Sequence, residues 1–539
     1  MACRLLVILV FIYQVFFSDA ARILALYPTP SISHQVVFRP ITEELLKRGH
    51  EVVVVTPDPM YPKGQTPANL TEIDVHDVCY SAFTVALTSS KMFGDSFLDQ
   101  LDVLFHAFME SMNQFFNAKE VRQILKGEDH FDLILTEHCV RVAAAFAHIY
   151  KKPLIQISSF GALFGTYEAL GAPTHPFLYP NIMYRRVYNL TMLEKLNVLY
   201  NNYYMEKRMD GDVVEDELLR KYFPPDTPRA VEVEKKYVDM VFLNVNPIWE
   251  GNHPVPPNVI HMGGLPQKPN KPLPAELQSY LDSSKHGVIY ISFGTNVKTS
   301  MLPPERVKQM INAFSKLPYD ILWKWDSDVL PGKTANIKIS KWLPQSDVLS
   351  TYIFFTEHPK IKLFITQGGL QSTDETITAG VPGVVIPMLG DQWYNAEKYV
   401  HHGIGVQLEA KDVNEESLTK AINTVIGNKR YINQLFINCV KNIHYFFSYK
   451  ENIIKLRDRM HDQPQKPLER AMWWIEYVMR HGGAKHLRSP AAFITWREYL
   501  ELDLVAVVLT VLISIILVIV GILYKLYQLL VAGTKVKKN

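Results

Sequence analysis

The stretch "TQGGLQSTDE", Thr366 to Glu375, sets two glycines, an amide, hydroxyls and acids directly after the apolar run "KLFI". Gly368 and Gly369 make a tight corner with no side chains in the way. A helix starting near Gln371 and ending at Gly380 points its free amides and its positive dipole end at that corner, where a phosphate can be held without a metal. Ser372 adds a hydroxyl donor. Glu375, one turn in, can accept from two vicinal hydroxyls such as a ribose offers. A packing turn accounts for the glycines; the ordered polar series that follows points to a cradle for a sugar nucleotide.

Two further segments fit such a ligand. "KWLPQSDVL" puts Trp342 and Gln345 after a strand, an indole to stack on a base and an amide to read its edge. "PMLGDQWYNA" puts Asp391 and Gln392 after another strand, a carboxylate and an amide suited to adjacent hexose hydroxyls. Other nucleotide chemistries are disfavoured. No Gly-x-Gly-x-x-Gly follows a strand, which argues against a nicotinamide dehydrogenase. "PGKT" at Pro331 to Thr334 has Ser327 where a P-loop needs its first glycine, and reads as a turn. "DGD" at Asp210 to Asp212 reads as a charged loop, not as a metal-binding Asp-x-Asp.

The elements that position these groups repeat one pattern. "RILALYP", "HEVVVVTP", "FDLILTE" and "PLIQIS" are short continuous apolar strands, and helical segments such as "HQVVFRPITEELLKRG" alternate with them. Strands of this kind belong to a parallel sheet covered on both faces. "GVIYISFGT", "DILWKW", "IKLFIT" and "VPGVVIPM" repeat the pattern in the second half. The chain therefore reads as two doubly wound α/β units. The Pro- and Gly-rich stretch from Pro247 to Pro274 reads as the connection between them. The charged helical stretch from Val187 to Phe223 decorates the first unit.

With 539 residues, 48% apolar and 20% charged, the chain is globular and exceeds one core. A net charge of +2 gives no footprint for nucleic acid. The first 20 residues, with Arg4, an apolar run and Ala20, read as a cleaved secretory signal. Leu504 to Tyr524 has no charge and is long enough to span a bilayer. Lys525, Lys535, Lys537 and Lys538, with no acids, keep the tail cytoplasmic and the body lumenal. Lysines third and fifth from the carboxyl end resemble the dilysine retrieval signal of endoplasmic-reticulum membrane proteins. Cys79, Cys139 and Cys439 remain after signal removal, enough for one bridge at most. Asn69 and Asn189 open two "NLT" sequons, candidate lumenal glycosylation sites.

"WLPQ" followed by "FITQGGLQSTDETITAGVPGVVIPMLGDQWYNA" resembles the UDP-glycosyltransferase signature over its whole length. The likeness extends to the signal, "RGHEV", "SFGT" at Ser292 to Thr295, "RSPAAFITWREYLELD" and the anchor, and its nearest branch is the membrane-bound invertebrate one. It implies a GT-B fold, two Rossmann-like domains facing a cleft. The implied division is an acceptor domain at 21–265, a linker at 266–285, a UDP-sugar domain at 286–442, helices crossing back at 443–490 and a pre-membrane segment at 491–503, before the anchor at 504–524 and the tail at 525–539.

The implied reaction is inverting transfer of a hexose, glucose by branch, from a UDP-sugar to a hydroxyl of a small lipophilic acceptor. No metal or other cofactor is implied, and a homo-oligomer is left open. His34 is the matching general base, with Glu137 as its carboxylate partner. Ser292, Gly294, Thr295, Gln367 and Gly369 join the donor set. Many relatives carry His at the position of Gln367 and Asp at that of Glu137, so the amide replaces an imidazole donor and the carboxylate reaches one methylene further. Glucuronate transfer, or a non-catalytic lumenal binding protein, are the alternatives. Retention of His34, Glu137, Asp391 and Gln392 argues against the latter.

Overall fold

The computed structural model describes residues 20–87, 97–211, 213–267, 271–295, 299–350, 360–427 and 448–536. Nearly all of the signal segment, together with Asp212, Cys439, Lys537 and Lys538, lies outside the described residues.

The first half builds a parallel sheet from β1 (Arg22–Leu26), β2 (Glu51–Thr56), β3 (Leu70–Asp74), β4 (Leu133–Glu137), β5 (Leu154–Ser158), β6 (Val238–Leu243) and β7 (Val259–His261), in the order β3-β2-β1-β4-β5-β6-β7. The second half builds another from β8 (Val288–Ser292), β9 (Asp320–Lys324), β10 (Ile337–Ser340), β11 (Ile361–Thr366), β12 (Gly383–Val385) and β13 (Gly405–Gln407), in the order β10-β9-β8-β11-β12-β13.

The helices used below are α1 (Ile32–Lys47), α2 (Phe97–Asn117), α3 (Met192–Gly211), α4 (Val213–Tyr222), α5 (Ala230–Tyr237), α6 (Ala275–Ser283), α7 (Gln345–Leu349), α8 (Leu370–Ala379), α9 (Gln392–His401), α10 (Tyr449–His461), α11 (Pro467–His481) and α12 (Leu502–Val536).

The strand "EVVVVT" illustrates why the sheet needs cover on both sides. Val52 and Val54 enter a core with Val37, Phe38, Ile41 and Leu45 of α1. Val53 and Val55 enter the opposite core with Met112, Phe115 and Phe116 of α2. Period-two alternation sends successive side chains to opposite faces, so an all-valine strand has to be sandwiched. The α1 face is completed from the far end of the chain. Ala471, Met472, Ile475 and Val478 of α11 are fully buried in the same core, so the chain returns to the first sheet after leaving the second.

Several features depart from the sequence reading. The Pro- and Gly-rich stretch read as a connection contains the short helix Pro247–Glu250, with Trp249 fully buried, and the strand β7. Pro247 opens that helix at a position where a missing N–H costs nothing. Leu277 and Leu281 of α6 pack into a core of the second sheet, so part of 266–285 is folded structure. Asp210 lies in the last turn of α3, not in a loop. "PGKT", by contrast, is the turn that its sequence suggests, with Gly332 at φ 75°.

Leu502–Val531, within α12, is the one segment among the described residues long and apolar enough to cross a membrane, and none of it packs against the body.

The return of α11 predicts that Ile475→Ala, which empties a fully buried site, lowers unfolding free energy by about 2–5 kcal/mol. Chemical denaturation of the detergent-solubilised chain measures it; a change near zero would mean that α11 does not brace the first sheet.

Candidate active site

In both sheets the strand carboxyl ends open on one cleft, where doubly wound folds bind ligands. A cavity of about 490 Å3 fills it, lined from both halves by His34, Phe160, Trp342, Gln345, Ser372 and Asp391 among others.

On the first sheet β1 and β4 pair directly, with Leu26 opposite Thr136. The loop after β1 and the last residue of β4 therefore meet. His34 stands in the first turn of α1, and its Nδ1 lies 2.6 Å from Glu137 Oε1. Glu137 is fully buried. Its Oε2 accepts the Thr29 amide at 3.1 Å, and Oε1 also accepts the Cys139 thiol at 3.2 Å. Burial pushes the Glu137 carboxyl up, but the bond and charge of His34, with Thr29 and Cys139, outweigh it and hold it below its ordinary value. Since the carboxylate can only accept, Nδ1 carries the hydrogen and Nε2 is left as the basic nitrogen of a ring that lines the cavity. Phe160 packs edge-on against that ring at 5.4 Å.

His34, Glu137 and Cys139 also bring three metal-type ligand atoms within 4.8 Å. The 2.6 Å Nδ1–Oε1 approach is that of a hydrogen bond; two donors on one tetrahedral ion stand further apart.

On the second sheet β8 pairs with β11, Ser292 opposite Thr366, so the corners "SFGT" and "TQGG" lie side by side. Gly294 has φ 77°, and a Cβ there would lie 2.3 Å from Gln367 Nε2. Gly368 has φ 86°, and a Cβ would strike Val385 at 2.5 Å. Both glycines are thus required by their backbone conformation, and a Cβ at Gly294 would in addition displace the Gln367 amide from the corner. Gly369 caps α8 without any side-chain bond. The Leu370 amide donates to Asp391 Oδ2 at 3.1 Å, and the Gln367 Oε1 is buried with no partner among the described residues. Thr295 lines the cavity beside Gly294.

Gln345 is the hub of the next group. Its Oε1 accepts from Tyr290, and its Nε2 reaches Ser372 Oγ at 2.9 Å and Glu375 Oε2 at 2.6 Å. Burial pushes the Glu375 carboxyl up to about 7, against the hydrogen bonds from Gln345 and Gln371. Trp342 is 64% exposed, a bare indole face beside them. Lys324 Nζ stands 4.8 Å from that ring's centre and donates to Gly294 O. Gln392 Oε1 accepts the amides of Met388 and Leu389, which fixes the loop that carries Asp391. Asn395, one turn on, ties Asp391 Oδ2 and Gly368 O together with its Nδ2 and accepts Trp249 Nε1 from the first half. Burial raises the Asp391 carboxyl to about 6, and the His34 charge is among the influences lowering it.

All the nominated cleft residues line this cavity except Glu137 and Ser292, which contact its lining: Glu137 through His34, and Ser292 from beneath, with its hydroxyl accepting from the Gly294 amide at 3.4 Å. The sequence reading did not single out Thr29, Lys324 or Asn395. Asn395 was reachable, being four residues after Asp391 on one helix face. The sequons lie elsewhere: Asn189 is exposed at φ 51°, while Asn69 donates both amide hydrogens, to Leu46 O and His50 O. Cys79 and Cys139 are unbridged thiols.

Residues 23–538 match the family described as UDP-glucoronosyl and UDP-glucosyl transferase. The chain belongs to that family. It is a UDP-glycosyltransferase, with a UDP-sugar as donor. An ecdysteroid UDP-glucosyltransferase of Spodoptera littoralis nuclear polyhedrosis virus is 33% identical over 526 residues, covering 93% of this chain and 96% of the relative. UDP-glucuronosyltransferase 1A7 of Mus musculus is 30% identical, covering 90% and 88%. Among solved structures, a UDP-glucose:anthocyanidin 3-O-glucosyltransferase in complex with UDP superposes with TM-score 0.55 at 16% identity, covering 86% of this chain and all of that one. The UDP-glycosyltransferase body is thus a GT-B fold.

Asp374, beneath the cradle on α8, is buried with both carboxylate oxygens lacking side-chain partners among the described residues, and burial pushes it up to about 7. An acid whose folded pKa is raised costs stability as pH climbs from the ordinary carboxylate range to the raised value. Asp374→Asn is therefore expected to raise Tm at about pH 8 by a few degrees and to change it little at about pH 5. Equal shifts at both pH values would contradict the buried titration.

Proposed function

We propose that this enzyme transfers glucose from UDP-glucose to a hydroxyl of a small lipophilic acceptor, with inversion at the anomeric carbon and without a metal. The observation that carries the reading is the His34–Glu137 pair opening into the same cavity as the donor residues, against a wall of aromatic and aliphatic side chains that includes Phe105, Phe108, Phe160 and Leu163.

Trp342 stacks on uracil and Gln345 reads its edge. Glu375 accepts from the ribose hydroxyls. The free amides of α8, with Ser372, Gln367 and the Gly294–Thr295 and Gly368–Gly369 corners, hold the diphosphate, and Ser292 buttresses the first corner. Asp391 and Gln392 meet the hexose. The acceptor oxygen attacks the anomeric carbon as its proton passes to His34 Nε2 and the bond to UDP breaks. A positioned base of this kind contributes because an alcohol is a weak nucleophile. Glu137 holds the ring's orientation and stabilises the imidazolium, as the carboxylate does in hydrolase triads. The leaving charge grows on the diphosphate, where α8 directs its dipole.

Glucose is favoured over glucuronate by the state of the cavity's Arg and Lys side chains. Among the described residues, Lys324 is bound to Gly294 O, Arg141 to Glu215 and Arg208 to Asp102, so each of these already has a partner and none is set aside for a sugar carboxylate. Relatives named as UDP-glucosyltransferases support the same choice. The membrane arrangement proposed is a lumenal body, one anchor at α12 and a short cytoplasmic tail in the endoplasmic reticulum; the apolar length of α12 supports the anchor, and Asn189 is the more accessible of the two sequons.

His34→Ala is expected to lower kcat by about 10²–10⁴-fold while UDP binding stays at the wild-type level, and EDTA is expected to leave the wild type active. Single-turnover kinetics with UDP-glucose and a neutral phenol, alongside UDP calorimetry, measure both. Retained turnover in His34→Ala, or full reversible loss with EDTA, would overturn the mechanism.

A further inference from the structure

Among the described residues, Arg141 and Arg208 of the first half and Lys324 of the second are the lysines and arginines that line the cavity. The carboxylates of Glu215 and Asp102 meet the two arginines. Lys324 differs. It is the last residue of β9, which lies between β8 and β10. On one side β8 leads into the "SFGT" corner; on the other Ser340 of β10 stands opposite Lys324, two residues before Trp342. Lys324 Nζ donates to Gly294 O at 2.9 Å and stands 4.8 Å from the centre of the Trp342 ring. Its charge therefore sits where the indole platform meets the glycine corner.

No carboxylate among the described residues pairs with it. The acids whose charge it feels are Asp326 and Glu375. Asp326 accepts instead from the hydroxyls of Thr299 and Ser300, and Glu375 from the Gln345 amide. Burial lowers the Lys324 pKa, with those two acids pulling it back. An ammonium partly removed from water, with a neutral carbonyl as its hydrogen-bond partner, favours an anion beside it. It also acts through that carbonyl. A cation on the Gly294 oxygen polarises the peptide that Gly294 shares with Thr295 and makes the Thr295 N–H a stronger donor.

We propose that Lys324 is a positioning residue for the departing nucleotide: acting through the Gly294–Thr295 peptide, its ammonium meets the charge of the diphosphate, and does so most as the bond to the sugar breaks. This rests on the reading of the two glycine corners as the diphosphate site. The electron pair of the breaking bond stays on the diphosphate oxygen, so negative charge there grows toward the transition state. The second half places no other lysine or arginine on the cavity among the described residues. An interaction that strengthens with that charge raises kcat as well as affinity. The bond to Gly294 O holds the ammonium at the nucleotide end, so the role is independent of which hexose is carried.

Lys324→Met keeps the stem beside Trp342 and removes the charge; Lys324→Arg keeps the charge. Both variants and the wild type, full-length and in detergent, are titrated by calorimetry with UDP and with uridine, and assayed with UDP-glucose and a neutral phenol. Lys324→Met is expected to bind UDP about tenfold or more weakly but uridine as the wild type does, and to lose about tenfold or more in kcat at saturating UDP-glucose. Lys324→Arg is expected to recover most of both. Unchanged UDP binding or unchanged kcat in Lys324→Met overturns the proposal. Equal weakening of UDP and uridine also overturns it, making Lys324 a support for Trp342, as does a Lys324→Arg variant as poor as Lys324→Met. A loss seen with UDP-glucuronate but not with UDP-glucose would overturn it by assigning the charge to the sugar. The underlying reading fails separately: a wild type that binds UDP no more tightly than uridine would remove the diphosphate site itself, whereas the other outcomes bear on Lys324 alone.

Discussion

Glu137 ends β4 with no exposure to solvent, and a carboxylate so placed must be paired or neutralised. Much of the catalytic half of the cleft follows from how that is met. β1 and β4 are neighbours in the sheet, so the loop after β1 passes over the end of β4. That loop supplies the Thr29 amide and then, as α1 begins, the His34 ring. The buried charge fixes which nitrogen of His34 carries the hydrogen and turns the other toward the cavity. Glu137 is one methylene longer than aspartate, and both its oxygens are used, one by the imidazole and thiol, the other by the backbone.

The donor half is held by a different device. A helix start leaves amides without partners, and here Asp391 takes only the first of them. Asp391 is itself gripped by Asn395, and Asn395 also reaches back to Trp249 of the first half. One amide side chain thus couples the cradle at α8, the loop after β12 and the opposite domain. Tyr394, next to it, packs among Ile182, Tyr184 and Val187 of the first half and donates to Glu250 O. The α10 and α11 helices extend this joint, α10 with Ile453 and Leu456 in a core shared by both halves and α11 on the first sheet. The two walls of the cavity are therefore positioned by buried side chains, not by the connecting segment alone.

How far the sequence could foretell this depends on element length and on the range of each contact. Strands such as "EVVVVT" and "IKLFIT" are continuous apolar runs, and their sandwiching announces a parallel sheet. β7 and β13 have three residues each and carry no such pattern; β7 is hidden in a Pro-rich stretch whose composition suggests a connection. The glycine corner was legible because its chemistry is local. The meeting of His34 with Glu137 was reachable because both stand at the carboxyl ends of parallel strands. Lys324 over Trp342 and Thr29 beneath Glu137 could not be read, because each acquires its role only from a partner distant in sequence.

The central claim is that His34 acts as the base for the attacking hydroxyl. It is tested most directly by how the defect of His34→Ala depends on acceptor acidity, measured as kcat/KM over a series of phenols of similar size, from alkyl-substituted to nitro-substituted. A base is needed most when the hydroxyl ionises least. The account predicts a defect that is largest for the alkylphenols and shrinks steadily toward the nitrophenols, which ionise unaided. A defect of the same size across the whole series would contradict it and leave His34 a positioning residue.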